Sequence, residues 1–179
     1  MALEGTIPGR LARWIAAADP DWDAIYADQL PRVYNFFRYR LGDVPEVDDL
    51  TSVTFEKAWR ARDRYRRDLA GFNTWLMTIA RNVATDHFRA ARLHVPLDDA
   101  IPAPSTSPEE EAARRSDAAR LSALLALLPD RDRELLSLKY GAGMTNRAIA
   151  RVTGLSESNV GTILHRTVHH LRDAWGTAS

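Results

Sequence analysis

At 179 residues, 45% hydrophobic and 27% charged, the chain is long enough for one domain or for two small ones, and its composition is globular rather than disordered. Lys+Arg and Asp+Glu stand at 24 each, so the bulk basic excess that marks a simple nucleic-acid binder is missing. Cysteine is absent, which excludes disulfides, thiol catalysis and thiolate metal sites and fits a reducing cytoplasm; the longest apolar run, residues 123–128, falls far short of the roughly 20 residues a bilayer span needs.

Residues 1–20 read as an N-terminal extension, and Glu4, Arg10, Arg13 and Asp19 leave no apolar core for a signal peptide. Apolar periodicity predicts helices over residues 22–40 and 47–61, with Gly42 and Pro45 breaking the chain between them. Asp48 and Asp49 fall in the first turn of the second helix, where carboxylates suit the helix dipole, and Leu50, Phe55 and Trp59 are its large apolar groups. Taken alone, this is an ordinary amphipathic helix.

The next stretch, RARDRYRRDLAGFNTW, carries Arg60, Arg62, Arg64, Arg66 and Arg67, with Tyr65 among them and Phe72 and Trp75 after. Cations track phosphates and aromatic rings stack on exposed bases, so the mixture suits single-stranded or melted DNA. The alternative is a solvated loop whose aromatics enter the core, and Trp75 is assigned to the core. Over residues 74–92 the period predicts a helix with Leu76, Ile79, Ala80, Val83, His87 and Ala90 on one face and Arg81, Thr85, Arg89 and Arg92 on the other.

Residues 93–117 hold Pro96, Pro102, Pro104 and Pro108 and lack a sustained helical period, which predicts a linker between a domain at 21–92 and one at 118–179. Charge follows the same division. Residues 21–53 carry three positive and seven negative charges, 54–92 nine and four, 93–117 two and six, and 118–179 eight and five. Acidic and basic blocks alternate, as separate surfaces for separate partners would require.

In the C-terminal domain, an apolar helix over 121–128 closes at Pro129, and a second over 131–140 ends at Gly141-Ala142-Gly143. Thr145 is positioned to cap a short helix over 146–152, Gly154 breaks it, Leu155 plugs the core, and Ser156 caps the last helix. Ala150, Gly154 and Val160 supply the small residue, the turn residue and the apolar anchor of a helix-turn-helix. Val160, Leu164, Thr167 and Leu171 make the buried stripe, and Ser158, Thr162, His165, Arg166 and His169 face outward, where a major groove would meet them. A plain helical packing unit with a solvated polar face is the alternative. His165 and His169 have the i,i+4 spacing of helical metal ligands, but no Cys or carboxylate cluster completes a site, and a pH-sensitive DNA contact suits them better. No hydrolytic triad, metal-ligand set or glycine-rich phosphate loop supports an enzyme.

Together these segments resemble the bacterial RNA polymerase sigma factors of the extracytoplasmic-function (ECF) type in the sigma-70 family. IYADQLPRVYNFFRYRLGD is similar to the start of sigma region 2, DDLTSVTFEKAW to its polymerase-binding helix, and FNTWLMTIARNVATDHFR to its promoter-melting and −10-reading segment. LLALLPDRDRELLSLKYGAGMTNRAIARVTGLSESNVGTILHRTVHHLR is similar to region 4. The resemblance implies an all-α chain of two small helical domains, region 2 and a helix-turn-helix region 4, on a flexible linker that threads toward the RNA exit path. It implies core RNA polymerase (the β′ clamp helices and β flap), promoter DNA and an anti-sigma factor as partners. No metal, cofactor, small-molecule substrate or catalytic residue is implied, and the cytoplasm is the expected location, where an anti-sigma factor could hold the chain at the membrane.

The same resemblance assigns residues. Asp48, Asp49, Leu50, Phe55 and Trp59 would bind polymerase. Arg62, Arg64, Arg66, Arg67 and Asn73 would hold a flipped base of the −10 element, and Arg81, Asn82, Thr85, Asp86 and Arg89 would face its duplex edge or backbone. Arg147, Ser156, Ser158, Asn159, Thr162, His165, Arg166 and His169 would address the −35 element. Two positions depart from the pattern. Ser52 and Val53 stand where a Gln and an acid are usual, beside hydroxyls (Thr51, Ser52, Thr54) whose phosphorylation would restore negative charge. Gly161 and Ile163 stand where basic residues are common, which predicts weaker phosphate anchoring and a shallower salt dependence. A conventional helix-turn-helix regulator that binds duplex DNA without polymerase is the second reading, and a sigma-like antagonist that binds polymerase without reading DNA is the third.

Overall fold

The computed structural model describes residues 22–66, 68–93 and 110–176. The N-terminal extension, Arg67 and the proline-rich part of the linker lie outside them. All regular structure among the described residues is helical. The N-terminal region has α1 (Trp22–Leu41), α2 (Glu46–Arg60), a 3₁₀ turn (Arg62–Arg64) and α3 (Phe72–Leu93). The C-terminal region has α4 (Glu110–Ala126), α5 (Asp130–Leu136), a π-helical turn (Ser137–Gly141), α6 (Asn146–Thr153) and α7 (Glu157–Gly176).

The elements end where their residues dictate. Pro45 stands at the start of α2 and Pro129 at the start of α5, positions where a missing N–H costs nothing. Thr145 accepts a hydrogen bond from the Ala148 N–H at 3.2 Å, and Ser156 accepts one from the Asn159 N–H at 3.2 Å, so both predicted caps close their helices. Gly154 ends α6 at φ +76°, a left-handed conformation that side-chain-bearing residues adopt at a cost, and this sets the turn between α6 and α7.

The two regions share one apolar core. Val33, Phe36, Phe37, Leu76, Met77 and Ala80 from the N-terminal region, and Leu135, Leu138, Ile149 and Val160 from the C-terminal region, are all fully buried within it. α1 packs on the π-helical turn, α4 and α5, and α3 packs on α6. At Gly141 the two backbones come together: a Cβ there would stand 2.8 Å from the Asn35 carbonyl oxygen and 3.0 Å from the Phe36 Cα. Only glycine fits there.

Several sequence expectations are corrected. α4 runs from Glu110 to Ala126, longer at its start than the helix expected over 121–128. The expected helix over 131–140 is α5 followed by the wide turn, in which the Ala142 N–H donates to Ser137 O and the Met144 N–H to Leu138 O. The buried face of α3 includes Met77 and Ala84, whereas Ala90 is exposed, because α3 packs on α2 along one side and on α6 along another. In α7 the buried stripe is Val160, Ile163, Leu164 and Thr167, and Leu171 is only half-buried.

Candidate nucleic-acid interface

Three surfaces carry the residues singled out by the sequence. The first is on α2. Asp48, Asp49 and Ser52 are exposed in its first two turns, Leu50 and Phe55 are half-buried, and the indole of Trp59 is 49% exposed. Trp59 is held in place: it lies edge-on to Trp22 with centroids 5.3 Å apart, and the Arg62 guanidinium sits 4.4 Å from a Trp59 ring centroid. Phe55 meets Tyr26 at 4.6 Å. Trp22 and Tyr26, which sequence reasoning did not single out, thus extend the aromatic surface of α2 onto α1. Thr51 and Thr54 are buried, and their hydroxyls donate to Val47 O and Leu50 O. Of the three hydroxyls considered for phosphorylation, only Ser52 is open to solvent.

The second surface runs from the loop after α2 into α3. Arg62 and Arg64 are exposed. Arg66 grips Asp68 through two bonds, Nε at 2.9 Å and Nη2 at 2.8 Å, and that carboxylate holds the guanidinium above its ordinary pKa. Tyr65, Phe72 and Trp75 pack together at centroid distances of 5.2–5.3 Å, and Trp75 is half-buried against the core as expected. On α3, Asn82, Thr85 and Arg89 are exposed, and Asp86 pairs with Lys57 of α2 at 3.6 Å.

Two assigned residues of this surface turn toward the C-terminal region instead of solvent. Arg81 Nε donates to Glu134 Oε1 at 2.8 Å, and Arg81 Nη1 donates to Val152 O at 3.3 Å. Asn73 Nδ2 donates to Ala142 O at 3.4 Å. Periodicity placed Arg81 on a solvent face because it measures a helix against one core. It carries no trace of a second packing partner.

The third surface is the outer face of α7 with the start of α6. Ser156, Ser158, Asn159, Thr162, His165, Arg166 and His169 are all exposed, and so is Arg147, which pairs with Glu157 at 3.5 Å. Thr162 donates back to Ser158 O, and His169 Nδ1 lies 2.9 Å from Asp173 Oδ2. Arg166 leans 3.4 Å from Asp132, a mostly buried carboxylate that also accepts from the Thr167 hydroxyl at 3.0 Å. Asp132 thereby fixes the roll of α7 on α5. Beside this face a cavity of about 290 Å³ is lined by Lys139, Asn146, His165, His169 and Arg172 among others, which brings two further cations to the edge of the helix. Sequence reasoning missed both: Arg172 lies on the same face of α7 as His165 and His169, at a helical spacing the sequence carries, whereas Lys139 is brought beside them only by the way the π-helical turn meets α7. Ile163 is 6% exposed, so its side chain belongs to the core and a base there would not reach DNA. Gly161 is half-buried with room for a Cβ 3.5 Å from Asn146. No group of three or more His, Cys, Asp or Glu side chains able to hold a metal occurs among the described residues. No helix there is long and apolar enough to cross a membrane.

The family models for sigma-70 region 2 and sigma-70 region 4 match residues 25–93 and 118–171. The chain is 33% identical over 154 residues to the ECF RNA polymerase sigma factor ShbA of Streptomyces griseus subsp. griseus, covering 79% of this chain and 81% of that protein. It is 34% identical over 152 residues to the ECF RNA polymerase sigma factor BldN of Streptomyces coelicolor, covering 82% of this chain and 57% of BldN. Among solved structures it resembles the sigma factor RpoE in complex with the anti-sigma factor NepR from Bartonella quintana, with a TM-score of 0.65 at 20% identity, covering 86% of this chain and 95% of RpoE.

Proposed function

Because the chain belongs to the sigma-70 family as an ECF sigma factor, a protein that directs RNA polymerase to promoters, we propose that its three surfaces divide that work. α2 docks on the clamp helices of the polymerase β′ subunit. Trp59 and Phe55 supply desolvated aromatic anchors, and Asp48 and Asp49 supply the charges that steer and orient the encounter. The loop arginines Arg62, Arg64, Arg66 and Arg67, with Asn73, hold the flipped base and backbone of the −10 element. Arg81, Asn82, Thr85, Asp86 and Arg89 address its duplex edge. α7 lies in the major groove of the −35 element, with Arg147, Ser156, Ser158, Asn159, Thr162, His165, Arg166 and His169 toward DNA, while the C-terminal region meets the β flap.

The observation that carries this reading is the sorting of α7. Its hydroxyl, amide, imidazole and guanidinium groups lie on the exposed side, and its core side is locked by Val160, Leu164 and Thr167 behind a glycine turn. The family matches over both regions favour it over a conventional helix-turn-helix regulator. By extension from RpoE, solved with an anti-sigma factor, this chain is held by an anti-sigma factor of its own. It works in the cytoplasm and catalyses no reaction itself.

The test is in vitro transcription from genomic promoter fragments with purified core polymerase, with and without the protein. Protein-dependent transcripts with shared upstream sequences are expected. Core binding without any transcript would point to an antagonist, and duplex binding without core binding would overturn the reading.

A further inference from the structure

The seam between the two regions contains a cleft that none of the three surfaces uses. It lies between the end of α1, the C-terminal half of α4, and α5, and has a volume of about 40 Å³. One water takes roughly 10–15 Å³ of such space, so the cleft admits a tetrahedral oxyanion. Arg38, Arg40 and Arg133 line it, with Tyr39 and Ser122, and no carboxylate does.

The protein balances these arginines poorly. Arg40 is 4% exposed and pairs with Asp130 at 2.8 Å, but the Asp130 side chain is 68% exposed and stands outside the cleft lining. Arg133 makes no ion pair among the described residues. Its Nη2 donates to two neutral carbonyls, Ala126 O at 2.6 Å and Leu128 O at 3.1 Å. The Nε atoms of Arg40 and Arg133 are both buried, and neither has an acceptor among the described residues. Burial, and then the neighbouring charge of Arg40, push the Arg133 guanidinium below its ordinary pKa. A guanidinium does not shed its proton in a protein, so the charge stays, and a buried cation without a counter-charge costs free energy. These cations set the chemistry of what fits: a small anion with several oxygen acceptors, which planar guanidinium donors match.

We propose that this cleft binds a phosphoryl group, as free inorganic phosphate or as the terminal phosphate of a nucleotide. Arg133 and Arg40 present their donors to its oxygens, Ser122 adds a hydroxyl from α4, and the exposed Arg38 stands at the mouth. Because the donors come from both regions, a bound phosphate joins α1 to α4 and α5. The site stands apart from every residue assigned to DNA or polymerase.

The test uses the full chain in chloride buffer, with isothermal titration calorimetry and thermal unfolding at constant ionic strength. Sodium phosphate is expected to bind with a Kd of about 1 mM or tighter and to raise Tm, while chloride is expected to do neither. Arg133→Gln is expected to weaken phosphate binding at least tenfold, the size of one charge-assisted hydrogen bond. Arg133 also holds the turn after α4, so circular dichroism checks that this variant folds. Arg38→Gln and Ser122→Ala, at an exposed and a half-buried position, are each expected to weaken binding about threefold and carry the test if Arg133→Gln does not fold. ADP binding tighter than phosphate, and weakened by the same variants, identifies a nucleotide as the source; ADP binding no tighter identifies free phosphate. Stabilisation by chloride equal to that by phosphate, or phosphate binding unchanged in the folded variants, overturns the site. A Kd weaker than about 10 mM means an adventitious ion only and overturns it as well.

Discussion

The C-terminal helix-turn-helix and the N-terminal α3 surface differ in how deeply their polar side chains are engaged. In the helix-turn-helix, local bonds do the structural work: Thr145 and Ser156 cap their own helices, and Gly154 makes the turn. The outward face of α7 stays exposed: even where Arg147, Arg166 and His169 meet Glu157, Asp132 and Asp173, their side chains are about 70% open to solvent. On α3 and the loop before it, side chains of the same kind are occupied, Arg66 by Asp68, Asp86 by Lys57, Arg81 by Glu134 and Asn73 by Ala142. A surface stabilised by its own caps is ready for a ligand. At Arg81 and Asn73, whose partners lie across the seam, a ligand has to displace those partners first.

The sharpest way to break this contrast is at the shared core. Phe36 is fully buried, stacks edge-on against Phe37 and has Gly141 packed on its backbone. Phe36→Ala is expected to cost about 4 kcal/mol, and chemical denaturation followed by probes in each region should show both transitions moving together. Independent transitions would mean the regions do not depend on one another. Trp59→Ala is expected to weaken binding to core polymerase by about 2 kcal/mol, roughly thirtyfold. Since half of the indole is solvent-exposed, the denaturation midpoint should stay nearly unchanged; a large fall in stability would make Trp59 a structural residue. The smallest effect belongs to the turn. Gly154→Ala meets no atom within 4 Å but must adopt φ +76°, for about 1 kcal/mol. Hydrogen exchange should locate the loss in α6 and α7 and leave α1 to α3 protected.

The same contrast explains what could be read from the sequence. Helix starts and stops were legible wherever one residue decides them, as at Pro45, Thr145, Gly154 and Ser156. The outward face of α7 was legible because that helix has one buried side and one wet side. Ile163 shows the limit: resemblance alone sets it among DNA-facing positions, but α7 turns it into the core. Thr51 and Thr54 read as a surface hydroxyl patch, yet their hydroxyls fold back onto their own helix carbonyls. Arg81 and Asn73 were found as functional candidates, but their partners lie 53 and 69 residues away, and no local pattern encodes such pairings. The wide turn at Ser137–Gly141 also escaped, because its apolar spacing is that of an ordinary helix.

That turn holds one residue more than an α-helical turn would. Each residue of an α-helix advances the chain by about 100°, so removing one residue there would swing Gly141 away from Asn35 and would also turn α6 and α7 against α5, where Thr167 bonds Asp132. A one-codon deletion would therefore disturb the contact between the two halves and the seating of the DNA-facing helix together, so the length of that turn sets both.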